Sequence, residues 1–308
     1  MSRRRWWRLA QVGFIAAVLW YCATYLVAQW GDIAALRASL RPDWLLVLAS
    51  GALVLVSYVV LIVTWQSTVR AWGSALSFRD AARIWFVSNL GKYIPGKVWT
   101  IGAMSVLAQR ASVSPTAAVG SSLVVTVVHV VAGFMVVAIA GGSLLGDVRA
   151  SWLGPVVAVV ALAAAPALLP KLARLGNRIA GRTMPVPALP LNAIGRALVG
   201  CTIAWVLYGQ AFRLLAIALL GHATGNGWSY TAVFTLSYLT GFLTLFSPGG
   251  VGTREVVMGA LLARTALATG AEATLLVLAS RLWLTVLEIM PGVTYLAMAP
   301  RRTKAPPS

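Results

Sequence analysis

Long apolar segments separated by short polar connections dominate this sequence. A helix needs between about 17 and 25 apolar residues to cross the roughly 30 Å hydrocarbon core of a bilayer, and six segments reach that length. They are Leu9–Ala28, Trp44–Trp65, Ala117–Gly141, Trp152–Leu169, Ala197–Leu220 and Thr274–Ala299. The pattern predicts an all-α polytopic membrane protein, in which residues 1–308 form a single integral membrane domain with about six full transmembrane helices.

The first apolar segment follows a cluster of four arginines, as the apolar part of a secretory signal would. It is longer than that part of a signal peptide, and no convincing small-residue cleavage site follows it. We therefore expect it to be the first transmembrane helix rather than a cleaved signal.

The composition agrees with a membrane protein. Hydrophobic residues make up 59% of the chain and charged residues only 10%, whereas about 25% of the residues of a soluble domain are charged. The formal net charge of +18 would suit nucleic acid, but the basic residues form no stripe on a soluble domain. Membrane lipids, through an acidic membrane surface or anionic headgroups, are the expected partners, and nucleic acid is not.

The basic residues are distributed unevenly between the connections. Lys and Arg in short loops are retained on the cytoplasmic side of a membrane. Sixteen of them fall in connections of one side, and only Arg37, Arg41 and Arg149 fall on the other, where three aspartates accompany them. This asymmetry predicts a multi-pass protein of the cell (inner) membrane with both termini, including the tail 301–308, in the cytoplasm.

Two further apolar regions, 84–110 and 230–268, are interrupted at their centres by Pro and Gly. The charges place both ends of the first region inside and both ends of the second outside, so each is predicted to be a re-entrant hairpin. The halves 1–146 and 150–300 then share the order helix, helix, hairpin, helix in opposite orientations, which predicts an inverted repeat. Two short full spans in region 230–268 would satisfy the charge pattern equally well.

Charged residues collect at these two breaks, although a charge inside a membrane costs about 2.5–3.5 kcal/mol even on lenient scales. Lys92 and Lys97 flank the first break, and Arg254 follows the second. A broken helix also exposes backbone N–H groups that attract anions. We predict that these three residues bind the phosphate or headgroup of a substrate; alternatively, the lysines only anchor the segment at the inner headgroups. The predicted hinges are Pro95, Gly96, Pro248, Gly249, Gly250 and Gly252.

Four other charges in apolar segments are candidates for buried ion pairs or ion coupling: Glu255, Arg213, Arg281 and Glu288. Adjacent residues of a helix point in different directions, so the partner of Glu255 is expected on another element, at Arg213, Arg281 or Lys97. Arg281 and Glu288 lie two helical turns apart and are expected to reach across to other helices. Both a proton-coupling role and a purely structural role are open for Glu255 and Glu288.

The two histidines, His129 and His222, have no carboxylate or cysteine cluster near them in the sequence. His129 lies in the middle of an apolar segment and is expected to be a hydrogen-bonded packing residue rather than a proton relay or a ligand. We therefore predict no metal and no other cofactor.

The two breaks resemble the motifs of a known family. Gly91-Lys-Tyr-Ile-Pro-Gly-Lys-Val-Trp99 and Ser247-Pro-Gly-Gly-Val-Gly-Thr-Arg-Glu255 are similar to those of the flippase-like family, also described as the lysylphosphatidylglycerol synthase transmembrane family. The resemblance covers nearly the whole chain and departs from the motif at Thr253. It implies a helical domain with re-entrant segments that moves a phospholipid, or a polyprenyl- or isoprenoid-linked lipid, between leaflets. Aminoacyl transfer is not expected, because only a short tail follows Ala299.

We therefore expect a lipid translocator rather than an enzyme. One alternative is an intramembrane enzyme acting on a lipid-linked substrate, but it would need a base or metal-binding carboxylates near a membrane surface. The outer connections offer only the scattered Asp32, Asp43 and Asp147. The other alternative is a non-transporting accessory subunit of a lipid- or cell-envelope-synthesis complex, which would have lipid-synthesis enzymes as partners.

Overall fold

The computed structural model of the chain describes residues 41–93, 98–141, 191–244 and 250–298, with the single positions 156 and 171. Within these ranges it contains eight α-helices and no β-strand. In chain order they are α1 (Trp44–Ala71), α2 (Phe78–Asn89), α3 (Val98–Arg110), α4 (Pro115–Ala140), α5 (Leu191–Leu220), α6 (Gly227–Leu243), α7 (Thr253–Arg264) and α8 (Gly270–Ala297). One turn of 3-10 helix, Leu90–Tyr93, follows α2. The predicted all-α membrane architecture is confirmed.

Four of these helices, α1, α4, α5 and α8, are long and apolar enough to cross a membrane. They correspond to four of the six predicted spans. The remaining two, Leu9–Ala28 and Trp152–Leu169, lie outside the described residues, and so does the tail 301–308. By length and composition, the described part of the chain therefore contains four candidate membrane-spanning helices.

Polar caps set the helix boundaries. Asp43 accepts hydrogen bonds from the backbone N–H groups of the first turn of α1, and Ser114 does the same for α4. Ser77 accepts from the N–H of Asp80, at 3.1 Å, and so begins α2. The first broken region therefore begins at Phe78 and not at the predicted residue 84. Polar residues are favourable in the first turn of a capped helix, so α2 begins before the apolar pattern does.

The longest interface joins α1 and α5, which run antiparallel. At one end, the backbone N–H of Asp43 donates to the carbonyl oxygen of Ala218 at 2.9 Å. Farther along, Ser50 Oγ donates to the carbonyl oxygen of Ala211 at 2.6 Å, and Gly200 lies directly against Thr64. Small residues let helix backbones approach closely where lipid supplies no hydrophobic driving force between them.

The short helices form two pairs, α2 with α3 and α6 with α7, and each pair begins and ends at the same face of the protein. Before α2 and before α4, the hydroxyl groups of Ser74 and Ser114 are 3.3 Å apart. Thr224, before α6, donates to the carbonyl oxygen of Leu267, after α7, at 2.8 Å. Across the molecule, α4 packs against α6 while α8 packs against α2. Each spanning helix that follows a pair, α4 or α8, therefore contacts a helix of the other pair.

Candidate functional site

A cavity of about 180 Å³ lies among the helices, with residues of all eight helices and of the 3-10 turn in its wall. Five of the residues singled out from the sequence line it: Lys92, Gly250, Arg254, Arg281 and Glu288. The structure therefore brings residues of both breaks of the chain, and both charges of α8, to one cavity. Lys97, Pro95, Gly96, Pro248 and Gly249 lie outside the described residues.

Lys92, in the 3-10 turn, forms an ion pair with Glu288 of α8. The two side chains are only 24% and 10% exposed. The turn is also held against α8 by packing, because the side chain of Leu90 lies against Gly292, at which a Cβ atom would meet it at about 3.0 Å. The first break is thus fixed to the second half of α8.

Arg281 of α8 contacts Glu255 of α7, with 3.5 Å between Nε and Oε1. Glu255 also accepts a hydrogen bond from the backbone N–H of Gly252, which begins α7. Arg281 is therefore the partner of Glu255, one of the three that the sequence suggested. The expectation that both charges of α8 reach across to other elements is confirmed. Arg213, a second suggested partner, lies in α5 and does not line the cavity.

Arg254 differs from the other cations of the site. Its side chain is only 6% exposed, and its guanidinium lies over the rings of Phe234 and Tyr238, at 5.2 and 4.9 Å from their centroids. Both rings belong to α6, so two cation–π contacts hold the group in place. Its Nη2 atom is buried without a hydrogen-bond partner. Within the described ranges, no carboxylate lies within ion-pair distance of Arg254.

The described charges of the site do not balance. Three cations, Lys92, Arg254 and Arg281, face two carboxylates, Glu255 and Glu288. The formal sum of these five groups is +1. The described part of the site therefore has one excess positive charge, and the Nη2 atom of Arg254 is a buried donor without a hydrogen-bond partner.

The second break depends on glycines that the sequence had identified as hinges. Gly250 and Gly252 have φ values of +73° and +86°, in the left-handed region that favours glycine. Gly250 also lies against Gly241 of α6, so closely that a Cβ atom on Gly250 would be 2.9 Å from the Cα atom of Gly241. Gly241 and Gly250 both line the cavity, and their contact brings the residues before α7 against the end of α6.

Aromatic residues make up the part of the site that the sequence analysis missed. Trp85, Tyr58, Tyr208 and Tyr238 line the cavity, together with His129. His129 was expected to be a hydrogen-bonded packing residue. Its ring does stack on Trp205, with 4.4 Å between centroids, but its Nδ1 atom is buried without a hydrogen-bond partner. In the sequence, these residues are single aromatic positions within apolar segments, which gives no signal that they converge.

No cluster of three or more His, Cys, Asp or Glu side chains in the described ranges is arranged to hold a metal ion. For the whole chain, the absence of a metal stays a prediction. A comparison with known protein families found no match, and a search among curated proteins found none either. The similarity to the flippase-like family consequently rests on its two motifs, at residues 91–99 and 247–255.

Proposed function

We propose that this protein is a lipid translocator, which moves an anionic phospholipid or a polyprenyl- or isoprenoid-linked lipid between membrane leaflets. Arg254 and Lys92 bind the phosphate of the headgroup in the central cavity. One observation carries the proposal: Arg254 is buried in the cavity wall, is held by two aromatic rings, and has an Nη2 donor without a partner, while the five described charged groups of the site sum to +1.

The energetic cost of such a residue supports a binding role. A buried hydrogen-bond donor that lacks a partner costs about 1–3 kcal/mol, and more when the group is charged. An ionised side chain within a membrane protein that pairs with no carboxylate is a functional candidate for the same reason. A phosphate would recover this cost, because its oxygens match the planar donor pattern of a guanidinium.

The depth of the site also supports transport. Helix α8 has 28 residues and is therefore about 42 Å long. Arg281 lies about 17 Å from its first residue, and Glu288 about 14 Å from its last. The ion pairs to the two breaks thus fall in the central third of a membrane-spanning helix, the depth at which transporters with broken helices bind their substrates.

Three of the four helices around the breaks have the length of re-entrant arms. Helices α2, α3 and α7 have 12, 13 and 12 residues, and α6 has 17. At 1.5 Å per residue, α2, α3 and α7 fall well short of the roughly 30 Å of a hydrocarbon core, whereas α6, at about 26 Å, lies at the lower limit of a span. The reciprocal packing of α4 on α6 and of α8 on α2 is what an inverted repeat would produce. In our proposal, the halves rock against each other around the cavity and expose it to each leaflet in turn.

The size of the cavity limits what enters it. A cavity on the order of 150 Å³ holds one benzene-sized ring, and this cavity has about 180 Å³. A phosphate with a small substituent fits that volume, and acyl or prenyl chains do not. The chains therefore remain in the bilayer while the headgroup passes through the protein.

Leaflet exchange in proteoliposomes tests the proposal. The purified full chain is reconstituted with reporter lipids that carry anionic or zwitterionic headgroups, beside the variants Arg254→Gln and Lys97→Ala. Arg264→Gln is the matched control, because Arg264 is exposed at the other end of the same helix α7. We expect the wild-type protein and the control to exchange anionic lipids faster than empty liposomes do. With Arg254→Gln, the rate of this exchange should fall at least tenfold.

Two results would contradict the proposal. In the first, anionic reporters exchange no faster than in empty liposomes, with or without an ion gradient. In the second, Arg254→Gln exchanges as fast as Arg264→Gln. Thermal unfolding of each variant in detergent separates loss of the site from loss of the fold.

A further inference from the structure

Arg213 of α5 differs from the other charged candidates in the described ranges, since it neither lines the central cavity nor pairs with a residue that does. Helix α5 has 30 residues, and Arg213 lies about 10 Å from its last residue. No carboxylate of the described ranges lies within ion-pair distance of it, and its Nε atom is buried without a hydrogen-bond partner. An unpaired charge in a membrane-spanning helix is costly and is therefore a candidate for ligand binding.

A second buried donor lies beside Arg213. Tyr230 of α6 has a fully buried side chain, and its Oη atom has no hydrogen-bond partner. Its ring meets that of Phe212, the neighbour of Arg213 in α5, edge-on at 5.9 Å between centroids. Arg213 lies within electrostatic range of the Tyr230 hydroxyl, and Tyr230 does not line the central cavity. The two donors therefore belong to one place, at the end of α5 and the start of α6.

Glu272, in the first turn of α8, brings the opposite charge to this place. It also lies within electrostatic range of the Tyr230 hydroxyl, and Thr224 lies beside that hydroxyl. The carboxylate is 34% exposed, and its Oε1 atom is 3.5 Å from Nε2 of His222. Three helices thus direct a cation, a carboxylate and a buried hydroxyl toward one another, at the face that the basic residues predict to be outside.

The cation and the carboxylate do not pair with each other, because Arg213 and Glu272 lie beyond ion-pair distance. Their formal charges cancel, so the place is neutral in sum but polarised. A ligand with one charge is attracted by one of these residues and repelled by the other. A ligand with an anionic oxygen at one end and an ammonium at the other is attracted by both.

We propose that the outer ends of α5, α6 and α8 bind a zwitterionic phosphate–ammonium group, such as the headgroup of phosphatidylethanolamine from the outer leaflet. The phosphate accepts hydrogen bonds from Nε of Arg213 and Oη of Tyr230, and the ammonium donates to Glu272. Arg213 and Glu272 are both partly exposed, so the group reaches this site without entering the central cavity. The site does not depend on the proposed translocation.

Retention of phosphatidylethanolamine by the full chain in detergent, counted by native mass spectrometry, tests the site. We expect Tyr230→Phe and Arg213→Gln each to lower the number of retained molecules about fivefold, since each removes a hydrogen bond to a charged group. Arg264→Gln is the control for a lost basic residue at the same face, and Arg254→Gln is the control for the central cavity; neither should lower this retention. Absence of retention by the wild type, or an equal loss with Arg254→Gln, would overturn the proposal.

Tyr230→Phe also separates binding from folding. The hydroxyl makes no hydrogen bond within the described structure, so its removal should leave the thermal unfolding temperature of the lipid-free protein unchanged or raise it. A lower unfolding temperature with unchanged lipid retention would show a structural role and contradict the proposal.

Glu272→Gln tests the recognition of the ammonium. The substitution leaves the charge of Arg213 uncancelled, so the site should now prefer an anionic headgroup. In an Arg254→Gln background, we expect the ratio of retained phosphatidylethanolamine to phosphatidylglycerol to fall about tenfold. An unchanged ratio would exclude Glu272 from the site and overturn the zwitterionic assignment.

Soluble phosphoethanolamine identifies the source of the ligand. Displacement of bound phosphatidylethanolamine by phosphoethanolamine, but not by inorganic phosphate, supports the site with a water-soluble source. Retention against both supports it with the lipid source, and equal displacement by inorganic phosphate overturns it. Loss of leaflet exchange in Arg254→Gln is a separate result, which concerns the translocator function and not this site.

Discussion

The charged side chains in and beside the cavity have their burial offset by two kinds of neighbour, opposite charges and aromatic rings. Lys92 is paired with a carboxylate of α8, and Glu255 with Arg281 as well as with the backbone at the start of its own helix. Arg254 instead lies on two aromatic faces. A planar guanidinium can keep such stacking while its edge binds an anion, whereas a lysine ammonium in that place would lose the stacking geometry.

The pair Lys92–Glu288 should show strong energetic coupling. Lys92→Gln or Glu288→Gln alone leaves an uncompensated buried charge, so each single change is expected to lower the free energy of unfolding by about 3–5 kcal/mol. The double variant should cost less than the sum, with a coupling of about 1–3 kcal/mol. Reversible unfolding in mixed detergent micelles gives the free energy of unfolding of the wild type, the two single variants and the double variant.

The matched control is the exposed pair of His222 and Glu272, whose atoms are 3.5 Å apart and whose side chains are 54% and 34% exposed. Solvent screens this contact, so its coupling should stay below about 1 kcal/mol. If the losses in the free energy of unfolding at Lys92 and Glu288 were strictly additive, the contact between the two side chains would contribute nothing to stability.

The charged part of the site was predictable from sequence because charges in apolar segments are rare and stand out. Lys92, Arg254, Arg281 and Glu288 were found in this way, and all four line one cavity. Trp85 and His129 could not be found, since an aromatic residue in an apolar segment reads as packing until the tertiary structure places its polar atom beside a cavity. The choice of Arg281 over Arg213 as the partner of Glu255 likewise needed the helix arrangement.

At the scale of elements, the second broken region depends on one backbone contact. Helix α6 ends beside the residues that precede α7, and Gly241 lies against Gly250 with no room for a Cβ atom on either glycine. Helix α7 then begins at Gly252, whose N–H is capped by Glu255. The direction of α7, and with it the position of Arg254, follows from this contact.

Gly241→Ala should therefore disturb the site without touching any charged residue. The new methyl group would be 2.9 Å from Cβ of Arg254, so either the arginine or the break must move. We expect a loss of about 1–3 kcal/mol in the free energy of unfolding, which is typical of overpacking, together with weaker anionic-lipid retention.

Gly102→Ala in α3 is the control, because a Cβ atom at Gly102 meets no neighbour within 4 Å. It should leave stability unchanged or raise it by up to about 1 kcal/mol, since alanine is the better helix former. If Gly241→Ala behaved like Gly102→Ala, the close packing of the second break would not be required for its function.

At the scale of the whole molecule, the apolar pattern predicted the spans well and the breaks incompletely. Segment length and hydropathy identify α1, α4, α5 and α8 because lipid imposes a simple length rule. The helices around the breaks lie at or below the lower limit of that length, where apolar runs cannot distinguish a re-entrant arm from a short span. Because of the N-cap at Ser77, α2 also begins earlier than the apolar pattern predicted, since the pattern does not extend into a polar first turn.

Cysteine labelling decides between a hairpin and two short spans in region 230–268. Cys22 and Cys201 are first replaced by alanine, and single cysteines are placed at His222 before α6, at Thr244 after it and at the end of α7, at Arg264. We expect a membrane-impermeant maleimide to label positions 222 and 264 only from the outer face, and Thr244→Cys not to react from the cytoplasmic side.

Ala75→Cys, exposed before α2, is the control for the cytoplasmic face, which the distribution of basic residues predicts for that connection. Labelling of Thr244→Cys from the cytoplasm as readily as Ala75→Cys would establish two full spans, and the inverted repeat would lose its second hairpin.

The contact between Gly241 and Gly250 has a consequence for the evolution of this chain. Its lipid-facing surfaces can exchange one apolar residue for another freely, whereas a single added carbon at either glycine meets backbone or Cβ atoms within about 3 Å. Descendants that keep this arrangement of α6 and α7 should therefore keep both glycines. A homologue in which one of these glycines is replaced should have a different backbone path at the second break.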